Sequence, residues 1–342
     1  MRGTIYDFDE MPKPGTRTVK LALSGRPADG AVRIGVIYNP RSHRNRGQDL
    51  ALGDAHHVMV AAPETRAQIA AALEEFATAG IDYLIVNGGD GTVRDVLTLG
   101  QAVFTGDWPA LAVLPKGKTN ALNVDLNAPA DWSLRAAIEA YEHGRRVVRR
   151  PLQIVSAPEG GSGILGFILG AGAYTMGVRA GQDAHRLGFF NSLAVGVTAA
   201  WGLGQTFLGS ANNPWRRGVE TQLRLQPGDI PVPHSEAGDP DRRTLVLATT
   251  LERLPMGIKP FGRLRSGLKL LAWDRPRRRL SAALPAILAG WESDWVMRMG
   301  LHRMRVAAFT MTIGDELVVD GEAFPAGTYD VREGPELSFV VP

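Results

Sequence analysis

Apolar positions in the first half of the chain alternate between two spacings. Val32 to Tyr38 is a short apolar run closed by the turn signal Asn39-Pro40, and His57 to Ala61 is a second run of strand length. Thr65 followed by Gln68 has the spacing of a capping box, and Ile69, Leu73, Phe76 and Ala77 then recur at helical intervals up to Gly80. Ile81 to Val86 predicts the next strand and runs straight into Gly88-Gly89; Leu111 to Leu114 predicts another and runs into Pro115-Lys116-Gly117. Strand, helix and strand joined by short connections imply a parallel sheet covered on both faces.

The pattern changes after Pro151. Gly160 to Gly177 is apolar and glycine-rich, and Thr244 to Thr250, Leu268 to Ala272 and Glu316 to Asp320 predict strands without long helices between them. Pro227 to Arg243 is expected to be an exposed loop, and Leu280 to Met304 to contain a helix. The expected organisation is an α/β domain over residues 1–150 and a mainly β domain over 151–324, with a tail at about 325–342 able to return to the first.

Composition changes this little. The chain has 342 residues, 44% hydrophobic and 21% charged, with 40 Gly, which suits a globular protein with many close turns. There are no cysteines, so disulfides and thiolate zinc sites are excluded. The N-terminus lacks an apolar stretch of the signal-peptide kind. Leu187 to Trp215 is uncharged, but its asparagines, threonines and glycines point to a buried or amphipathic helix rather than a membrane span. The expected location is the cytoplasm, or the inner face of the membrane as a peripheral protein. Net charge is only +3, yet arginines cluster at 145–150 and 275–279, either as solvated faces or as contacts for acidic partners.

Three segments carry candidate chemistry. In Asn87-Gly88-Gly89-Asp90-Gly91-Thr92-Val93-Arg94-Asp95-Val96 a buried strand gives way to two glycines and then to a helix expected to start near Thr92. Glycines allow close backbone approach, and free N–H groups at a helix start favour phosphate. A carboxylate at Asp90 beside phosphate needs a bridging cation or a proton to remove, so Asp90 is either a Mg²⁺-ATP partner or a base. The plain structural alternative is a glycine turn with Asp90 capping the helix. Pro115 to Asn120 lies at the end of the next strand, where it would flank the same crevice. It mimics part of a Walker A motif, but the first glycine of that pattern would fall at Ala112 inside the strand, which excludes a P-loop NTPase. Asp320-Gly321-Glu322, read alone, is a hairpin turn with two acids.

Taken in order, these segments resemble the diacylglycerol kinase catalytic family, which includes bacterial lipid kinases and sphingosine kinases. Asn39-Pro40-Arg41-Ser42 is similar to the family's first motif, Gly88 to Thr92 with Asp95-Val96 to its second, Pro115 to Asn120 to its third, and Asp320-Gly321-Glu322 to its C-terminal motif. The resemblance implies a nucleotide domain with a parallel sheet like that of NAD kinases and phosphofructokinases, and a β-sandwich second domain. It implies ATP and Mg²⁺ as cofactors, held by Asn39, Pro40, Arg41, Gly88, Gly89, Asp90, Gly91, Thr92, Arg94, Asp95, Gly117, Lys118, Thr119 and Asn120. Asp90 and Glu322 would be catalytic, with Glu322 as general base, and Asp90 and Asp320 are the candidate metal ligands. The implied partners are a lipid substrate and, transiently, a membrane surface, with no nucleic acid; oligomeric state stays open. Arg275 to Arg279, followed by Leu280, Leu284, Ile287, Leu288 and Trp291, is a candidate docking segment, the alternative being that its apolar residues are core.

The chain departs from the family pattern at His43, Lys118 and Asp95. It departs again at Ser266, where an aspartate would support a structural Mg²⁺. Two rival readings remain: a NAD kinase-like phosphotransferase, and a nucleotide- or lipid-binding regulator without catalysis.

Overall fold

The computed structural model describes residues 32–42, 45, 57–157, 161, 163–186, 217–236, 238–275 and 277–342. His43 and the Leu187–Trp215 segment lie outside them. The chain divides into two compact units. One comprises the described residues up to Pro151, with Gly161–Gly166 and Gly334–Pro342; the other comprises the remainder between Leu152 and Glu333.

The first unit is built on one sheet. β1 (Ile34–Tyr38), β2 (Val58–Ala61), β3 (Tyr83–Gly88) and β4 (Ala110–Pro115) run parallel in the order β2-β1-β3-β4. The chain's last strand, β19 (Leu337–Val341), joins parallel to β4, and β5 (Arg145–Arg149) closes the sheet antiparallel to β19. β1 and β3 are buried along their whole length, as parallel strands covered on both faces must be. Ile34 and Val36 pack with Ala137 and Ala140 of α4 (Leu134–His143) on one face. Gly35, between them, points the other way, beneath Phe76 of α1 (Arg66–Ala79).

The predicted capping box forms: Thr65 accepts from the Gln68 N–H, and Gln68 accepts from the Thr65 N–H. Gly80 ends α1 in the left-handed region, at φ 67°. The following strand starts at Tyr83 rather than Ile81, because the Ile81 N–H still donates to Phe76 O at the helix end and the Asp82 carboxylate accepts the Arg33 N–H. α2 (Asp90–Val103) follows β3, and the short strand β7 (Ile164–Gly166) packs on it, with the Leu165 N–H donating to Thr98 Oγ1 at 3.0 Å. α3 (Ala121–Leu126) follows β4.

The second unit contains two antiparallel sheets. One runs β10 (Ile230–Pro231), β9 (Val219–Gln226), β15 (Ala308–Ile313), β18 (Gly327–Glu333) and β6 (Leu152–Ser156), with β11 (Arg242–Arg243) also on β9. The other runs β14 (Leu301–Arg305), β13 (Lys269–Trp273), β12 (Leu245–Thr249), β8 (Ile168–Gly172), β16 (Leu317–Val319) and β17 (Glu322–Phe324). α5 (Ala173–Arg186) follows β8. The protein is thus mixed α/β, with one largely parallel sheet and two antiparallel ones.

One expectation for this unit needs correction, and the helix expected within Leu280 to Met304 is found in divided form. Pro227 to Arg243 is not wholly an exposed loop: β10 and β11 lie within it, and Arg243 is buried. The Arg243 guanidinium donates to Asp274 and to Val232 O, while the Asp274 carboxylate also accepts the Ser235 N–H (2.7 Å) and lies 3.0 Å from His302 Nε2. Leu280 to Met304 forms three short helices, Arg278–Ala282, Leu284–Leu288 and Asp294–Arg298, and then β14. Pro285 cannot donate to a preceding turn, and Gly290 (φ 102°) and Gly300 (φ 94°) turn the chain away. Leu280 and Ile287 are core residues, not a docking face.

Candidate active site

Two glycine loops meet in the first unit where β3 and β4 end. Gly89, the N-cap of α2, and Gly117 approach so closely that a Cβ on Gly117 would lie 2.8 Å from the Gly89 Cα. Only residues without a Cβ fit this packing of backbone on backbone. The helix starts at Asp90, two residues before the position expected from sequence, because Val93 N–H already donates to Gly89 O. Asp90 thus sits in the first helical turn, where the helix dipole favours a carboxylate.

Asp90 bridges the two loops: its Oδ1 accepts the Ala121 N–H at 3.0 Å. Burial strips water from the carboxyl and raises its pKa, while the N–H groups of Ala121 and Asn120 pull the other way. Asn120 clamps its own loop: Oδ1 accepts the Gly117 N–H (2.8 Å), Nδ2 donates to Gly117 O (3.0 Å), and its backbone is left-handed at φ 49°. Lys118 and Thr119 project from that loop into solvent.

The Asn39-Pro40 turn lies on the other side of α2's start. Asn39 Nδ2 donates to Thr92 Oγ1 (2.8 Å), and Asn39 Oδ1 accepts the Arg41 N–H (2.9 Å). Beside this turn is a cleft of about 450 Å³, lined by Asn39, Pro40, Arg41, Thr92 and Asp95, with Glu64, Thr65 and Arg66 from the start of α1. Arg94 is not in the cleft lining: it is buried, and its guanidinium holds the Asp95 carboxylate at 2.9 Å, while Arg66 approaches the other Asp95 oxygen at 3.4 Å.

Sequence reasoning missed three contributors. Asn45 is buried, and its amide donates to Asn87 Oδ1 (2.9 Å), Asn87 O (3.1 Å) and Asn39 O (3.0 Å), tying the end of β3 to the Asn39 turn. Its only sequence signal is an amide side chain shortly after Asn-Pro. Glu64 and Arg66 look like solvated helix-start residues, and nothing local marks them as cleft walls.

In the second unit, Asp320-Gly321 is a two-residue hairpin loop between β16 and β17, both residues having positive φ (46° and 84°), as a type I′ turn demands. The turn is anchored: Asp320 accepts the N–H groups of Phe167 (3.0 Å) and Ile168 (2.9 Å), and donates its own N–H to Ile168 O. Glu322, half-buried, is the first residue of β17 and pairs in register with Val319. The Ser266 segment is bound internally, with the buried Lys269 ammonium donating to Arg265 O (2.6 Å) and Gly267 O (3.3 Å). Among the described residues no cluster of three or more His, Asp or Glu side chains gathers to hold a metal ion.

A helix start with an acid at its mouth, two abutting glycine loops and a cleft alongside form a site suited to phosphate groups. Residues 33–152, which carry all of these features, match the family model of the diacylglycerol kinase catalytic domain. Over that segment the chain is similar to the diacylglycerol kinase catalytic domain. A comparison with curated proteins found no match. Among solved structures, a crystal structure described as a diacylglycerol kinase of Bacillus anthracis str. Sterne aligns at a TM-score of 0.58, with 14% identity over 91% of this chain and 97% of that one. A second structure from the same organism, provisionally assigned the same activity, aligns at 0.61 with the same identity and coverage. At this identity the likeness is one of fold.

Proposed function

We propose that the protein is an ATP- and Mg²⁺-dependent lipid kinase that transfers the γ-phosphate to a hydroxyl of diacylglycerol or a related lipid. The observation that carries this is the backbone contact of Gly89 with Gly117 around the start of α2, with Asp90 joining the two loops. The first unit, with a parallel sheet of the NAD kinase and phosphofructokinase kind, is the nucleotide domain in this reading. The second is a β-sandwich that supplies the lipid pocket.

The residue types fit the cofactors. Gly88 to Thr92 and Gly117 to Asn120 would hold the phosphates through backbone N–H groups, and Asn39, Pro40, Arg41 and Asp95 would line the nucleotide cleft, with Arg94 bracing Asp95. Asp90, a carboxylate short of water, suits a divalent cation; Mg²⁺ in phosphoryl transfer keeps several waters and needs only one or two carboxylates, so a three-acid cluster is not required. Bound with ATP, Mg²⁺ would offset the charge on the transferring phosphoryl group. Asp320, whose oxygens already accept two N–H groups, is proposed first as the brace of the Glu322 turn, and as a second metal ligand only through a remaining lone pair. Glu322 accepts the proton of the lipid hydroxyl as it attacks.

The substrate implies transient work at a membrane from the cytoplasmic side. Among the described residues no helix is long and apolar enough to cross one. The deciding experiment is transfer of labelled γ-phosphate from ATP to a panel of lipids in mixed micelles, with wild type and Asp90→Asn side by side. Transfer to NAD but to no lipid, or nucleotide binding without transfer, would replace this reading with one of its rivals.

A further inference from the structure

Three exposed apolar side chains lie in residues 256–297 of the second unit. Met256 is 85% exposed, Met297 54% and Trp291 42%. Hydrogen bonds and ring contacts draw their segments together. The Lys259 N–H, three residues after Met256, donates to Leu288 O at 2.7 Å. The Trp291 ring lies 5.8 Å from that of Trp295, in the same short helix as Met297. Arg303 donates to Trp291 O at 2.9 Å. Met256 is also held at φ 60°, a backbone conformation unusual for a side chain of its size, at the tip of a tight turn.

The rim is basic. Arg277, Arg278, Arg279 and Arg298 are exposed, and Arg277 lies 4.0 Å from the sulfur of Met299, next to the Met297 helix. Of the nearby acids, Glu292 is engaged by Arg263, while Asp294, at the start of the Met297 helix, is exposed and outnumbered by the four arginines. Exposed tryptophan and methionine flanked by arginines match an environment with an apolar interior and an anionic surface. A second copy of the chain fits poorly, since a two-fold contact would set the same arginines against each other.

We propose that the Met256–Trp291–Met297 surface docks on an anionic lipid bilayer, an assignment that rests on the lipid-kinase reading for its purpose. The test is co-sedimentation of the full chain with vesicles of phosphatidylglycerol and phosphatidylcholine, and with phosphatidylcholine alone. Wild type is expected to bind the anionic vesicles, less so as salt rises. W291A/M297A should weaken binding at least about tenfold, and R277Q/R278Q/R279Q by roughly a hundredfold, at about fivefold per arginine. Circular dichroism checks folding; should the Trp/Met variant unfold, the arginine variant decides alone. Wild-type binding by folded variants overturns the proposal, as does equal binding to both vesicle types or a wild-type dimer that W291A/M297A dissolves. Phosphate transfer to a water-soluble short-chain diacylglycerol should be unchanged in both variants. If wild type transfers none while vesicle binding still depends on this surface, the kinase reading fails and the docking surface stands.

Discussion

A Cβ added to Gly89 would lie 2.9 Å from the Gly117 Cα, so the two loops cannot stay in contact if either glycine gains a side chain. The obstacle is backbone on both sides, which cannot swing aside as a rotamer can. Gly117→Ala and Gly89→Ala are each expected to lower stability by about 1–3 kcal/mol, the usual cost of overpacking, and to raise the KM for ATP more than they lower kcat. Urea denaturation and steady-state kinetics measure the two effects separately.

Asp90→Asn should divide the two roles of that carboxyl. Turnover is expected to fall at least about a hundredfold, as on loss of a base or metal partner. Stability should move the other way. Burial raises the folded-state pKa of Asp90, so the folded protein binds the proton more tightly than the unfolded chain. The contribution to stability is therefore full below the ordinary carboxyl pKa and is lost as pH rises through the folded value. At neutral pH the asparagine variant, which has no charge to bury, should be at least as stable as wild type, with any advantage fading at acid pH. Melting curves across pH check the sign.

Local order was legible where local chemistry sets it. Thr65 and Gln68 cap α1 as their spacing predicts, because both partners lie within one helical turn. The parallel strands overlap the apolar runs, because strands buried on both faces favour apolar residues, but β3 runs on through the buried Asn87 to Gly88 and β4 spans Ala110–Pro115. What escaped depends on partners far apart in sequence. Arg243 looks like a loop arginine until Asp274 is beside it, and Asn45 looks like a turn residue until Asn87 is. Leu280 and Ile287, read as a possible docking face, have a spacing that a core helix shares. The glycine motif could be read because few structural needs place such residues together, and Asp320-Gly321 because a type I′ hairpin needs those residue types; the cleft walls at Glu64 and Arg66 could not, because charged residues at helix starts are common.

The Asn45 amide gives a prediction with no counterpart in the motifs. Asn45→Ala would leave the buried Asn87 Oδ1 without its Asn45 donor and release the Asn39 turn. The expected loss is about 1–3 kcal/mol of stability, with a higher KM for ATP because Asn39 is no longer held beside Thr92. Unchanged nucleotide affinity in a folded variant would show that Asn45 serves the fold alone.

Asp274 should govern acid sensitivity of the second unit. Burial alone would raise its pKa, but the hydrogen bonds from His302 and the Ser235 N–H, together with the Arg243 charge, outweigh it and hold the carboxyl below its ordinary value. Its contribution to stability is therefore present above the ordinary carboxyl pKa and lost as pH falls through the lowered folded value. Asp274→Asn leaves Arg243 buried without its counter-charge and is expected to cost about 3–5 kcal/mol. Acid titration followed by tryptophan fluorescence should show a native-state transition in wild type at lower pH than in the variant.

Asp320 and Glu322 share a turn, but their substitutions should read out differently. Glu322→Gln removes the proposed base and keeps the β16–β17 hairpin, so kcat should fall at least about a hundredfold with the denaturation midpoint unchanged. Asp320→Ala removes the acceptor for two backbone N–H groups and puts a non-glycine, non-Asx residue at φ 46°, so it is expected to cost about 1.5–3 kcal/mol and to lower kcat as Glu322 loses its register. Asp320→Asn tolerates the left-handed backbone and keeps one acceptor oxygen, so it should recover part of both losses if the residue acts as a brace. A metal ligand predicts another pattern: wild-type stability, and a kcat deficit that rising Mg²⁺ partly repairs. Denaturation midpoints and Mg²⁺ titrations of the three variants therefore decide which task Asp320 performs.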